Sequence, residues 1–436
     1  MLNARIGRRT FIGATLSTLA AAYAGRAWSE PATPPAVSDD AFLEDLERRS
    51  FRYFWEQGDP RTGLVRDRAR ADGSPHVQSQ RDVASIAATG FGLAALAIAR
   101  ERTWRPEAEI TARVRSTLAF LAHEMPHEHG WYFHFVRAQT GAREWQCELS
   151  SIDTALLAAG VLAVRQAFAS DARIVADATH IYERIDFPWM LAGHPVLLAM
   201  GWKPESGFLS ARWRHYCELM VLYLLGLGSA TRPLPRASWY AWTRPWLEYA
   251  GLRIVSHGDP LLVHQYSHAF VDFRGRRERP TGIEWWRNSV DATRMHKAFC
   301  LALAPEFPGY SDNVWGITAS DSANGYVAWG GPPRDPAIDG TVVPCAAGGS
   351  LMFTPDLCLP VLRTLVARWG DRVYGRYGFV DAFNPNTTWV DADVIGIDVG
   401  ITLLSAENLR SGAVWRWTMG NPEIRRALDM ADVVPF

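Results

Sequence analysis

Apolar side chains recur at helical spacing in a succession of segments, separated by stretches rich in glycine, tryptophan, tyrosine, aspartate and proline. The first segment spans 40–55, opening on Asp40 and placing Phe42, Leu46 and Phe51 on one helical face. The next, 82–100, is apolar and alanine-rich, and Gly90 and Gly92 inside it predict close contact with another helix. Segments 107–124, 151–169, 171–185 and 212–227 follow, then 284–303, 355–369, 399–409 and 422–432. Regular alternation of strands with helices is absent, which argues against a parallel α/β sheet. The pattern predicts an all-α chain with one domain over 41–436. Helices in this number can close as two concentric rings, a single (α/α)6 toroid, with the long loops forming a cleft at one end. Long loops on a rigid helical scaffold are where function concentrates.

Ahead of that domain the chain reads as an address. Arg8-Arg9-Thr10-Phe11-Ile12-Gly13 precedes a small-residue apolar run from Ala14 to Ala24, ending in an Ala22-Tyr23-Ala24 cleavage pattern. This is the form of a twin-arginine signal peptide over 1–30, followed by a proline-rich linker over 31–40. The apolar run is too short for a permanent span. A periplasmic or secreted location is expected, with no membrane association after cleavage.

Composition removes several partners. The 436 residues carry 45 Lys+Arg against 46 Asp+Glu, a net charge of -1, which gives no electrostatic reason to expect nucleic acid or an anionic membrane. Cys147, Cys217, Cys300, Cys345 and Cys358 form no C-x-x-C pair and match no zinc framework, so they read as small buried side chains. His123-Glu124-Met125-Pro126-His127 matches H-E-x-x-H literally, but Pro126 opposes a continuous helix there, and the motif reads as a helix end. No metal and no organic cofactor are expected, and the chain reads as a monomer. The aromatic count stands out at 19 Trp, 13 Tyr and 19 Phe. Most must be packing, yet flat rings in a cleft are also what sugar faces stack on.

Glycoside hydrolysis needs one carboxyl held protonated and a second held ionised. Acids among apolar and aromatic residues are therefore the candidates. Glu148 and Asp153 lie either side of a predicted helix start, where Asp153 could equally serve the helix N-terminus. Glu218 falls inside the apolar 212–227 segment; pairing with Arg212 or Arg214 is its structural alternative. Asp398 sits between Ile397 and Val399, close after Trp389, Asp391 and Asp393. Tyr266, His268 and Asp272 form a mixed polar segment suited to sugar contact, though core histidines would read the same way. Trp315, Asp321, Tyr326 and Trp329 suit a subsite wall.

Several phrases together resemble the bacterial glycoamylase-like family, which includes the β-1,2-glucanases of glycoside hydrolase family 144. They are Tyr53-Phe54-Trp55 with Gly63-Leu64-Val65-Arg66-Asp67-Arg68, Ser151-Ile152-Asp153-Thr154, Gly316-Ile317-Thr318-Ala319-Ser320-Asp321, Ala346-Ala347-Gly348-Gly349-Ser350, Arg376-Tyr377-Gly378-Phe379-Val380-Asp381-Ala382-Phe383-Asn384 and Gly396-Ile397-Asp398-Val399-Gly400. The resemblance implies an (α/α)6 barrel and metal-free, inverting hydrolysis of a β-glucan, most specifically β-1,2-glucan. It points to Glu148, Asp153, Glu218 and Asp398 as catalytic acids, and to Asp67, Arg68, Phe383 and Asn384 as further substrate contacts. The chain departs from the family at Val399 and Ile401, where members read Gln and Pro, and at Leu219, where many read Ser. A transglycosylase, a hydrolase of another linkage and a non-catalytic glycan-binding toroid are the alternatives on the same fold.

Overall fold

The computed structural model describes residues 38–76 and 82–436; the expected signal peptide and nearly all of the linker lie outside them. Fourteen α-helices occur among the described residues: α1 Asp39–Gln57, α2 Ile86–Glu101, α3 Glu107–His123, α4 Ser151–Ala167, α5 Ala172–Glu183, α6 Met220–Gly228, α7 Ala237–Ala241, α8 Tyr266–Phe270, α9 Trp285–Ala302, α10 Pro344–Gly348, α11 Pro355–Trp369, α12 Gly396–Arg410, α13 Ala413–Gly420 and α14 Pro422–Met430. Burial separates them into two rings. In α2, 14 of 16 residues are buried, in α12 12 of 15, and in α6, α8 and α10 all of them. By contrast α1 buries 8 of 19 residues and α11 5 of 15, the one-sided pattern of helices facing solvent. Even-numbered helices from α2 to α12 form the inner ring, and each follows an outer helix in the chain.

The inner ring closes through side-by-side packing. Helix α12 packs on α2, α2 on α4, α4 on α6, α6 on α8, and α10 on α12. Gln265, just ahead of α8, completes the circuit by donating to Ala346 O (2.9 Å) and Ser350 Oγ (2.8 Å) at α10. Helices α2 and α4 touch at the two glycines where their backbones cross. A Cβ on Gly160 would lie 2.1 Å from Gly90 O, and one on Gly90 2.4 Å from Leu156 O. The close contact expected at Gly90 is therefore a backbone-to-backbone contact.

Short antiparallel strands of two to four residues stitch the loops together. Three pairings brace the starts of inner helices: Val83–Ser85 with Phe135–Arg137 ahead of α2, Leu149–Ser150 with Gly201–Lys203 ahead of α4, and Asp393–Ile395 with Arg68–Arg70 ahead of α12. The fold is the all-α toroid expected from periodicity, and α3 ends at His123 inside the H-E-x-x-H match.

Two expectations need correction. The segment 212–227 is helical only as Met220–Gly228. Residues ahead of it are held extended, Arg212 bridging to Ala199 and His215 to Thr243, while the Arg212 guanidinium donates to the carbonyls of Leu191 and Leu197. Apolar spacing alone could not detect those tertiary partners. The short helices α7, α8 and α10 lie in segments read as loops, because five residues are too few to display a 3.6-residue period.

Candidate active site

The inner helices begin at one end of the barrel, and four sequence-predicted acids stand at or just before those starts. Asp153 and Asp398 occupy the first turns of α4 and α12, Glu148 precedes the strand leading into α4, and Glu218 lies two residues before α6. A helix N-terminus presents unpaired N–H groups and partial positive charge, so carboxyls are well placed there.

Glu218 has no ion-pair partner among the described residues. Neither arginine named as its alternative partner forms an ion pair with it: Arg214 lines the same cavity without one, and the Arg212 guanidinium is spent on backbone carbonyls. Its main chain is fixed instead by α8: Ser267 Oγ donates to Glu218 O (2.8 Å) and accepts from Val221 N (3.0 Å). Burial, with Asp259 and Asp153 adding repulsion, raises the Glu218 pKa against the opposing hydrogen bond from the Cys217 thiol. The carboxyl lines a cavity of about 360 Å³ together with Trp213, Cys217, His257, Asp259 and Tyr326.

Glu148 and Asp153 are joined by a residue that periodicity did not reveal. His134 Nδ1 lies 3.1 Å from Glu148 Oε1 and its Nε2 3.5 Å from Asp153 Oδ1. Burial works against the imidazolium, but the Asp153 and Glu148 carboxylates outweigh it and lift the His134 pKa to about 9. Through that hydrogen bond, Glu148 is held below the ordinary carboxylate range. Ser150 caps α4 and also donates to the Asp153 carboxylate.

Asp398 faces a second unpredicted partner. Its carboxyl is hydrogen-bonded to that of Asp381; burial raises both, the Asp398 charge pushing Asp381 further up, while at Asp398 the bond from Asp381 opposes burial and its pKa is raised to about 6. Cys345 Sγ donates to Asp398 Oδ1 (3.2 Å). Asp381 Oδ2 accepts from Asp321 N (2.7 Å), and Asp321 in turn takes Arg68 Nη1 at 2.7 Å. The carboxylate oxygens of Asp321, Asp381 and Asp391 lie within 4.8 Å of one another, the spacing of cation ligands, and Arg68 supplies positive charge beside them. Burial lifts Asp391 to about 7. Asp67 is raised by burial too, against the attraction of Arg68 and His134.

Tyr266 links the clusters. Its buried hydroxyl has no hydrogen-bond partner, and Asp398, Tyr326 and Glu218 all bear on its ionisation. Tyr326 is 60% exposed over the same hollow. Glu218, Glu148, Asp153, Asp398, Asp67, Arg68, Tyr266, Asp321, Tyr326 and Asp391 thus converge on one end of the barrel, and Trp389 stays half-buried at its margin.

Six expected sugar contacts lie elsewhere. His268 is fully buried between Phe273 and Phe353, shares a hydrogen bond between its Nε2 and Ser289 Oγ (3.1 Å), and is pushed by burial down to about 3. Asp272 follows the C-terminal end of α8, away from the site, and binds Arg274. Trp315, Trp329 and Phe383 are core residues with at most 1% exposure. Asn384 serves a turn, donating to Asp339 O and accepting from Asn386 N. Rings in irregular segments have no periodicity to tell core from cleft.

Comparison with known proteins agrees with this geometry. The Glycoamylase (glucoamylase) family model matches residues 210–422, a span that includes Glu218 and Asp398. The endo-β-1,2-glucanase of Chitinophaga pinensis, solved with sophorotriose and glucose, superposes with a TM-score of 0.85 at 26% identity, over 92% of this chain and 99% of that one. Over that span the chain is similar to the glycoamylase-like family. It is also similar to an exo β-1,2-glucooligosaccharide sophorohydrolase (non-reducing end) of Parabacteroides distasonis, 24% identical across 97% of this chain and 62% of the relative, so it spans about three fifths of that protein. A β-1,2-glucanase structure from Parabacteroides distasonis shares the fold, with a TM-score of 0.82 at 23% identity over 92% of this chain and 61% of that one. The glycoamylase-like toroid therefore holds essentially all of the described chain.

Proposed function

We propose that this glycoamylase-like protein is a glycoside hydrolase that cleaves β-1,2-glucan by acid/base catalysis, with inversion at the anomeric carbon. The observation that carries the reading is a buried Glu218, without an ion pair among the described residues and repelled by Asp153, at the same helix-start end of the barrel as a His134-bound Glu148 of lowered pKa. Glu218 is the general acid: desolvation raises its pKa and favours the protonated form that the leaving glycosidic oxygen needs. Glu148 and Asp153, charge-compensated by His134, form the basic side that activates water. The Asp381–Asp398 pair and Tyr266 hold sugar hydroxyls. Support for the linkage comes from the relatives: the sophorohydrolase and the glucanase that was solved with sophorotriose both act on β-1,2-linked glucose according to their names.

The test incubates purified protein with linear β-1,2-glucan and separately with β-1,3-, β-1,4- and α-1,4-glucans. Sophoro-oligosaccharides released from the first alone, as α-anomers in an immediate proton spectrum, are expected. Binding without any product would sink the hydrolase reading. We also propose export through the Arg8-Arg9 signal and action as a monomer. Loss of periplasmic enzyme on replacing both arginines with lysine, and a hydrodynamic mass near 45 kDa, roughly that of a single chain, are the checks.

A further inference from the structure

Among the described residues, His134 is the cation that touches both carboxylates flanking the start of α4. Its placement is over-determined. His134 N donates to Glu148 O at 3.0 Å, its carbonyl accepts Ile86 N at 3.3 Å at the head of α2, and its ring stacks on Phe135 with centroids 3.8 Å apart. With both ring nitrogens directed at carboxylate oxygens, 3.1 Å from Glu148 and 3.5 Å from Asp153, neither nitrogen is left to act on substrate. A neutral imidazole could donate to only one of the two acids, whereas an imidazolium satisfies both.

We propose that His134 is a positioning residue for glycan cleavage: bonded to both carboxylates, it clamps Glu148 to Asp153 and favours Glu148 as the ionised base. The inference rests on the hydrolase reading above for its activity readout, but not for its spectroscopic one. Groups facing His134 are Glu148 from the loop before α4, Asp153 from α4 itself and Asp67 from the strand leading to Arg68, all acidic. Lys203, on the neighbouring strand, bears on Glu148 with the same sign as His134. The sign follows. Removing the His134 charge raises the pKa of Glu148, so its ionised form survives only at higher pH, and the acidic limb of the rate profile moves upward.

The experiment has two arms. In the unsubstituted protein, ring carbon–proton signals of labelled histidine are titrated, with the His134 signal assigned by its absence in His134→Gln. A midpoint near 9 is expected; a midpoint close to the ordinary 6.5 overturns the proposal whether or not the protein cleaves any glucan. In the second arm, kcat/KM against pH is measured for His134→Gln and His134→Lys. His134→Gln is expected to shift the acidic limb up by about one pH unit, with kcat lowered and KM little changed, while the charge-restoring His134→Lys returns the limb toward its original position. A limb that stays fixed in His134→Gln, or moves equally in both variants, overturns the charge role. Should His134→Gln fail to fold, the lysine variant together with the Glu148→Gln change in the histidine titration, expected to lower its midpoint, decides the matter.

Discussion

At the scale of single residues, chemistry follows from what each carboxyl is denied. Glu218 has no ion pair among the described residues, so burial raises its pKa; Glu148 is bonded to His134, so its pKa is lowered. Glu218→Gln preserves shape and hydrogen bonding and is expected to cut kcat by a factor of about 10²–10⁴, with the thermal midpoint nearly unchanged. A fully active variant, assayed on β-1,2-glucan, would remove Glu218 from the mechanism. The rate profile is expected to be bell-shaped. Activity falls as pH drops through the lowered Glu148 pKa, because the base gains a proton, and falls again as pH rises through the raised Glu218 pKa, because the acid loses one. Glu218→Gln should therefore abolish the alkaline limb in whatever activity remains.

Between adjacent elements, the cap of α4 ties stability to catalysis. Ser150 accepts Asp153 N at 3.3 Å and also donates to the Asp153 side chain. Ser150→Ala should cost about 1 kcal/mol of stability, read as a lower urea midpoint, and should in addition reduce kcat, since Asp153 loses a restraint. An equal urea midpoint with unchanged kcat would show that the cap does neither. The elements were largely legible in the sequence where they were long. The 355–369 segment is α11 to the residue, and Asp153 and Asp398 fall in helix first turns as expected. Legibility failed where tertiary partners overrode pattern, as at Arg212 and His215, whose bridges to Ala199 and Thr243 delay the helix until Met220. The acids were visible because a lone carboxyl among apolar residues is conspicuous. His134 was invisible because, between Phe133 and Phe135, it looks like one polar position of a short strand; only folding places two carboxylates beside it. Trp315, Trp329 and Phe383 misled for the opposite reason: a buried ring and a sugar platform have the same local sequence.

For the molecule as a whole, the ring must close between its first and last helical pairs. Arg410 at the end of α12 meets Glu44 at 2.9 Å and the buried Glu47 of α1, while Arg102 meets Glu407 at 2.9 Å. Those contacts lie 12 residues along α12 from Asp398, about 18 Å at 1.5 Å per residue. Arg410→Met leaves the buried Glu47 carboxyl without its guanidinium partner and is expected to lower unfolding free energy by about 1–3 kcal/mol, while kcat measured well below the melting range stays within about twofold. A large kcat loss at low temperature would mean that closure strain reaches the site.

The glycine crossing of α2 and α4 behaves like a spacer ground to fixed thickness. Asp153 rides on α4, and Ile86, which anchors the His134 carbonyl, heads α2. Any methyl group at position 160 must wedge the two rods apart, and the separation would be felt first where His134, from the α2 side, reaches across to Asp153. Gly160→Ala, a change remote from every sugar-facing atom, should thus loosen the catalytic gauge, sparing affinity for glucan while slowing turnover. A toroid built this way can retune its chemistry from the packing seam, leaving the walls of the hollow untouched.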